Sequence, residues 1–436
     1  MEIRTDRGEE CCTLVVLPIA HRARPPRGAT VVNPKPDLGG ATSRGVVLDL
    51  IRTRGPISRV QLATATGFTQ ATISNVVRQL TGDGLVVESG EKKYTGGKPR
   101  VMLTLNPRAR YALGVQLGAD STTYVVIDVM GDVVGRVREH GLRDAPPGEV
   151  VPLLADRAGN LLETLAIPRS IVVGVGVAAP GPLDLERGSI VGAPTMEAWR
   201  GFPVREAVEE SLGLPTVLDN DATCAAVGEF WGGSTADSLA HCTVYMGAGI
   251  GAGIVVGGSV YRGASSNTGE IGQLRARTAT GALGTVEDVA APRAVAAAAR
   301  AAIAAGRETS IRLDRGEDPF DDFTAVASAA SRGDALGREL ILASAECLAD
   351  AVLALADILD LDSIALAGPS FAVAGPLFLL TIQRRLAEEF SARAQHSVRV
   401  TLSHHMVDAA AVGAATLVLQ RELAPRSFGV GRFAVE

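Results

Sequence analysis

Cysteine is scarce in this 436-residue chain. The five cysteines, Cys11, Cys12, Cys224, Cys242 and Cys347, are odd in number and contain no Cys-x-x-Cys pair. That argues against a disulfide framework and a four-cysteine metal site, and it fits a reducing cytoplasm. Long apolar runs are missing too: none approaches the roughly 18 residues of a membrane span. The short run from Thr13 to Ala20 is cut by Pro18 and preceded by Glu9 and Glu10, which makes a poor signal peptide. Nor is there an overall excess of positive charge. The net charge is −6, so the chain as a whole lacks the electrostatics of a nucleic-acid binder.

The charge is unevenly placed, however. Residues 41–110 hold eleven Lys or Arg against four Asp or Glu, a balance of +7 that leaves −13 on the rest. A small basic module on a large acidic body is the pattern to explain. The hydrophobic fraction of 47% allows substantial cores. The length allows roughly three units at about 150 residues each.

Residues 1–40 are rich in Arg and Pro and show no periodicity. They read as a disordered arm or an over-extended start of the reading frame. Arg22, Arg24 and Arg27 would let such an arm touch DNA; a solvated tail is the plainer alternative. Residues 41–106 read as one module. Val46, Val47, Leu50 and Ile51 recur at helical spacing until Gly55-Pro56. Ser58 is the predicted N-cap of a short second helix carrying Val60, Leu62 and Ala63. Gly67 turns the chain, and Thr69 caps a third helix with Ile73, Val76, Val77 and Leu80 inward. This order is that of a helix-turn-helix. Gln70, Thr72, Ser74, Asn75 and Arg78 face outward, short or forked side chains suited to base edges and phosphates in a major groove. Two predicted strands then flank a basic, glycine-rich tip with Lys92, Lys93, Gly96, Gly97, Lys98 and Arg100, the outline of a wing. The alternative is a small helical domain with a solvated charged hairpin.

Beyond Asn106-Pro107 the pattern becomes α/β. Strands are expected at 111–117, 124–129 and 133–137, a helix at 150–165 and a buried strand at 171–178. The second half repeats this logic, with strands at 242–246, 253–256, 364–367 and 398–402. Its helices are expected at 288–306, 334–358 and 375–390, and a last one capped by Asp408 runs to about Leu423. No close internal repeat occurs, yet the halves are alike in kind. We expect a first lobe over 107–222, with helix 408–423 packing back on it, a second lobe over 223–407, and a cleft between them. The stretch from Leu218 to Gln273 holds Asp219-Asn220-Asp221, the glycine run 247–253 and Gly269-Glu270-Ile271-Gly272. Asp accepts and Asn both donates and accepts, a combination that suits a pocket for hydroxyl groups.

These motifs resemble the ROK family of repressors, open reading frames and sugar kinases, over residues 42 to about 420. Ala179-Pro180-Gly181-Pro182-Leu183-Asp184, Gly188, Ala193-Pro194 and Trp199 resemble the stretch before that family's sugar site. Asn220-Asp221-Ala222 with Glu229 resembles its Asn-Asp-Ala-Asn signature, and Gly269-Glu270-Ile271-Gly272 its Gly-Glu-x-Gly-His. The resemblance implies a two-lobed actin-like and hexokinase-like (ribonuclease H-like) domain behind a winged helix-turn-helix, the arrangement of the family's transcriptional regulators. It implies sugar contacts from Asn220, Asp221, Glu270 and Glu287, with Gln273 in place of a contacting His. In a kinase Asp221 would be the general base. The plainer alternatives are a helix N-cap for Asp221 and solvated surface carboxylates for Glu270 and Glu287.

Departures from the family pattern are informative. The kinases' first phosphate loop reads Asp-x-Gly-Gly-Thr; here it is Gln116-Leu117-Gly118-Ala119-Asp120. Asp120 would put a negative charge where phosphate must dock, against the charge neutralisation that phosphoryl transfer needs. The second loop keeps Gly247, Gly249 and Gly251 but has Ala248 for Thr, and the later adenosine loop has Gly368-Pro369 for a Gly-Gly pair. The family's zinc ligands are replaced by Gln273, Thr278, Thr280 and Thr285, poor partners for zinc. The expectation is therefore no zinc, no ATP and no enzymatic activity. It is a cytoplasmic, sugar-responsive regulator, a repressor of carbohydrate-metabolism genes, whose degenerate kinase domain takes a sugar or sugar-phosphate effector. A homodimer or dimer of dimers would read double-stranded DNA at an inverted repeat, without membrane association. An active sugar kinase that also binds DNA, and a DNA-binding regulator with a vestigial cleft, are the alternatives.

Overall fold

The computed structural model describes residues 42–93, 100–142, 145–192, 196–232, 235, 238–278, 280–313 and 319–423. The predicted arm at 1–40, the wing tip with Gly96, Gly97 and Lys98, and Ala193-Pro194 lie outside them, as do the side chains of Lys92, Lys93 and Arg100.

The N-terminal module runs α1 (Ser43–Arg54), β1 (Ile57–Ser58), α2 (Arg59–Thr66), α3 (Gln70–Gly82), β2 (Val86–Lys93) and β3 (Arg100–Leu105). Each helix start has its cap. Thr42 Oγ1 accepts the Gly45 N–H at 3.2 Å. Ser58 and Gln61 form a reciprocal capping box. Thr69 Oγ1 accepts the Thr72 N–H at 3.2 Å. Gly67, at φ +71°, takes the left-handed turn between α2 and α3 that a side chain would resist. Ile73, Val76, Val77 and Leu80 are buried as expected. Val60 is not; it is 43% exposed. The capping box sets the phase of α2 so that Leu62 and Thr66, one turn apart, form its buried stripe. In α1 the buried set includes Leu48, while Val46 and Leu50 are only half-buried. β1 was not foreseen; its two residues add a third strand by pairing antiparallel with β3, which pairs with β2 to build the wing.

The first lobe comprises β4 (Tyr111–Gln116), β5 (Ser121–Asp128), β6 (Val133–His140), α4 (Pro147–Thr164), β7 (Val172–Ala179), a hairpin of β8 (Leu183–Asp184) and β9 (Ser189–Ile190), α5 (Val204–Leu212) and β10 (Thr216–Asn220). Its sheet has the order β10-β7-β4-β5-β6, an antiparallel meander continued by two parallel strands. α6 (Asp221–Trp231) leads into the second lobe: β11 (Ala240–Met246), β12 (Ile250–Val256), β13 (Ser259–Val260), a hairpin of β14 (Arg275–Arg277) and β15 (Leu283–Thr285), α7 (Glu287–Ala290), α8 (Pro292–Ala304), α9 (Pro319–Ser331), α10 (Ala335–Leu359), β16 (Ser363–Ala367), α11 (Phe371–Glu389) and β17 (Arg399–Leu402). The second sheet, β13-β12-β11-β16-β17, repeats the plan of the first.

One helical expectation needs correction here. The helix expected over 288–306 is two, because Pro292 has no N–H to donate and holds Ala291 extended at φ −67°, ψ 154°. α9 was not foreseen, although Phe323, Val326, Ala327 and Ala330 line its buried face at helical spacing.

α12 (Ala409–Leu423) returns to the first lobe and lies on both its sheet and α6. The approach to α6 is close: a Cβ on Gly413 would fall 1.6 Å from the Cys224 carbonyl oxygen. The winged module shares its core with this region. Val47, Ile51, Leu80 and Leu105 belong to one apolar cluster with Ala112, Ile127, Val412 and Leu419. Among the described residues no helix is long and apolar enough to cross a membrane.

Candidate ligand cleft and nucleic-acid interface

β10 ends in Asp219-Asn220, and α6 starts on the next residue. Asn220 Oδ1 accepts the N–H groups of Ala222 and Thr223 at 3.0 and 3.2 Å, so the N-cap is Asn220. The capping alternative for Asp221 therefore belongs one residue earlier. Asp221 occupies the first turn and accepts the Ala222 N–H at 2.8 Å. Burial pushes its carboxyl up to about 7; the Ala222 N–H opposes that rise, and the charge of Glu270 adds to it. The Glu270 carboxyl is itself raised, by burial first and by Glu287 second.

β10 and β7 run parallel with Asn220 opposite Ala179, which brings the turn Pro180-Gly181-Pro182 beside the Asn-Asp pair. A Cβ on Gly181 would lie 3.2 Å from both Asn220 Nδ2 and Glu270 Oε1, so a side chain there would crowd the pair. Behind the pair, Arg262 Nη1 and Nη2 donate to the two carboxylate oxygens of buried Asp219 at 3.0 and 2.6 Å. Asn267 fastens the opposite wall: its Oδ1 accepts the Leu183 N–H at 2.7 Å and its Nδ2 donates to the Leu183 carbonyl at 3.0 Å.

The glycine loop joins β11 to β12. Glu287 holds it, accepting the Ile250 N–H at 2.9 Å through Oε1. Its Oε2 accepts from Gln273 Nε2 at 3.3 Å and lies 3.5 Å from Arg293. A Cβ on Gly249 would come within 2.8 Å of Glu287 Oε1. The surface-carboxylate alternative for Glu287 is thus set aside. Across the cleft, Gln116 at the end of β4 donates through Nε2 to the Tyr245 hydroxyl of β11 at 2.5 Å, with both side chains buried.

These elements enclose a cavity of about 430 Å³. It gathers Asn220, Asp221, Glu270, Gln273 and Glu287 with Gln116, Gly118, Asp120, Gly247, Gly249 and Gly251, while Gly368 and Glu229 do not line it. Tyr245, Arg293 and Pro369 also line it, without having been singled out as contacts. Beside it, the β14–β15 hairpin is closed by hydroxyls. Thr278 and Thr280 hydrogen-bond each other at 2.9 Å, and Thr285 Oγ1 donates to Asp288 at 2.9 Å.

The described residues expected to face nucleic acid lie on α3 and on the wing strands. On α3, Gln70, Asn75 and Arg78 are exposed, while Thr72 and Ser74 are half-buried. Arg78 Nη1 donates to Asn75 Oδ1 at 3.2 Å, and Thr72 also shares a hydroxyl hydrogen bond with Thr69 at 2.9 Å. Ala71 and Gln79 extend the exposed face and were not singled out. Lys92, Lys93 and Arg100 lie on the paired strands of the wing by backbone register.

Two α/β lobes of matching topology around a cleft, behind a winged helix-turn-helix, define a two-lobed hexokinase-like protein with a DNA-binding type of head. The chain belongs to the ROK family, whose sequence profile matches residues 112–421. It is similar to the xylose repressor of Caldicellulosiruptor bescii, 26% identical over 86% of this chain and 94% of that protein. Among solved structures it shares its fold with a ROK family transcriptional regulator, a homologue of the E. coli MLC protein. The TM-score is 0.69 at 23% identity, covering 86% of this chain and 95% of that one. A ROK family glucokinase from Streptomyces griseus, solved with glucose and AMPPNP, has the fold of the two lobes, with a TM-score of 0.60 at 24% identity over 70% of this chain and 98% of that one.

Proposed function

We propose that this chain is a sugar-responsive DNA-binding regulator, a repressor of carbohydrate-metabolism genes. It would bind an inverted-repeat operator as a homodimer and take its effector in the cleft. The observation that carries this reading is the union of two sites in one chain. An outward polar face on α3 stands on the basic module, and five hydroxyl-matching side chains, Asn220, Asp221, Glu270, Gln273 and Glu287, converge on one cavity. The similarity to a xylose repressor along nearly the whole of both chains supports it.

The cleft binds without reacting. By the family resemblance, Asp120 and the Tyr245-bonded Gln116 replace the Thr and Asp of the kinases' first phosphate loop, which supports a reading in which the cleft takes no ATP. The hairpin's threonines are neutral and spend their hydroxyls on Thr280 and Asp288, so they do not fit zinc. Asp221 then serves as a hydrogen-bond partner for a sugar hydroxyl and not as a base.

The test is fluorescence anisotropy of DNA from the protein's own promoter at fixed salt, with and without free and phosphorylated pentoses and hexoses. One sugar should change DNA affinity several-fold. DNA binding that no sugar alters would move the vestigial-cleft reading forward. ATP-dependent sugar phosphorylation lost in Asp221→Asn would replace the proposal with a kinase.

A further inference from the structure

α6 joins the two sites. Asn220 and Asp221 sit at its N-terminus in the cleft, and Trp231 is its last residue, about 16 Å away at 1.5 Å per residue. At that end the helix meets the DNA-binding head. The Arg52 guanidinium of α1 lies 3.8 Å over the Trp231 ring, and its Nη1 donates to the Trp231 carbonyl at 2.7 Å. Asp49, one turn earlier in α1, holds Arg52 from the other side at 3.1 Å. α1 in turn shares the core of α3 through Val47, Ile51, Ile73 and Val77.

The helix is fastened on both sides, to α12 at Gly413 and to β12 of the second lobe. A Cβ on Gly253 of β12 would fall 2.1 Å from the Ala222 carbonyl oxygen, so strand and helix are in backbone contact. Glu229, on the same helix, accepts the Ser403 hydroxyl at 2.5 Å. The far joint is less tightly made. Trp231 Nε1 is buried without a hydrogen-bond partner among the described residues. A void of about 10 Å³ lies beside it, bounded by Leu48, Leu105, Val129 and Leu423. A buried donor left unpaired is costly, which makes Trp231 the less satisfied end of α6.

Resting on the effector reading above, we propose that α6 is the transmission element between cleft and DNA. A ligand held at Asn220 and Asp221 re-seats Trp231 against Arg52, and α1 passes the shift to α3. The ligand must bind the two seatings with different affinity, and the coupling is reciprocal.

The test uses the full chain, promoter DNA, and D-xylose and D-glucose as probes. DNA affinity is read by anisotropy with and without sugar, and sugar affinity by calorimetry. Arg52→Met and Trp231→Leu should each keep sugar affinity and sugar-free DNA affinity within about twofold of wild type. The sugar-induced change in DNA affinity should fall from several-fold to under about twofold. Trp231→Phe keeps a ring face for Arg52 and should retain most of the response. Arg59→Met, which breaks the exposed pair with Glu88 on the same head, should leave the response intact. A wild-type response in Arg52→Met and Trp231→Leu overturns the transmission role while leaving the effector cleft standing. A wild-type chain that binds DNA and ignores both sugars and the whole panel of free and phosphorylated pentoses and hexoses overturns the effector reading, and this inference with it.

Discussion

Arg262 grips Asp219 with both terminal guanidinium nitrogens, directly behind the two residues that open onto the cleft. Asp219 is 2% exposed and also accepts the Asn220 N–H at 2.9 Å, so the pair sets the backbone that presents Asn220 and Asp221. Removing the cation leaves a buried carboxylate with its charge uncompensated. Arg262→Met should cost about 3–5 kcal/mol of stability and weaken sugar binding. Denaturant midpoints and calorimetry check this; an unchanged midpoint would show that the pair contributes nothing net.

Asp221 gives the protein a pH signature. Its folded carboxyl is raised to about 7 from 3.8, so the folded state holds a proton that the unfolded chain has released between those values. The stability this group contributes is full below about pH 4 and is lost as pH rises through about 7. Asp221→Asn cannot ionise. It should flatten the slope over that window and gain on the wild type at pH 8, by at most about 4 kcal/mol. Thermal melts of both proteins from pH 4 to pH 8 measure it, and parallel curves would refute the assignment.

Asn75 and Arg78 stand together on the exposed face of α3. Asn75→Ala should relax sequence preference at one base position at a cost of about 1–3 kcal/mol. Arg78→Ala should weaken operator binding, either at a single base or evenly across sequences with a shallower salt dependence if its partner is a phosphate. Anisotropy against a set of single-base operator variants at two salt concentrations separates the cases. Full affinity in both variants would remove α3 from the recognition role.

Gly413 lets α12 lie against α6. A Cβ at that position would meet the Cys224 carbonyl oxygen at 1.6 Å, and backbone cannot yield as a side-chain tip does. Gly413→Ala should therefore destabilise the chain by about 2 kcal/mol or more. It should lower the melting temperature without changing residues that face the cleft or DNA. A melting temperature equal to that of the wild type would mean that the two helices can part at no cost.

Much of this was legible because local patterns and burial agree. In α3, one periodic stripe, a Thr cap and a preceding glycine all specify the same helix, and the structure repeats its cap and its buried stripe of Ile73, Val76, Val77 and Leu80. The cleft was legible because its residues sit on turns whose glycines mark close approach, at 181, 249 and 269. What escaped depends on distant partners. Arg262 reads as an ordinary surface cation until β10 places Asp219 beside it. Tyr245 reads as core until Gln116 of the other lobe reaches its hydroxyl. The second helix was expected to carry Val60, Leu62 and Ala63, but which of them is buried depends on the phase of α2, set by Ser58 and Gln61. The two-residue strand β1 has no periodicity to display, and its pairing with Leu103 and Met102 is set by the wing.

The cluster that binds Val47, Ile51, Leu80 and Leu105 to Ile127, Val412 and Leu419 means that the DNA-binding head owns only part of its interior. It is not a cassette. Grafting it whole onto another body would expose half a core and strand the matching half at the far end of the donor chain. New operator preferences are therefore acquired most cheaply by repainting the outer face of α3, one residue at a time, while the inner face stays answerable to a helix encoded at the other end of the sequence.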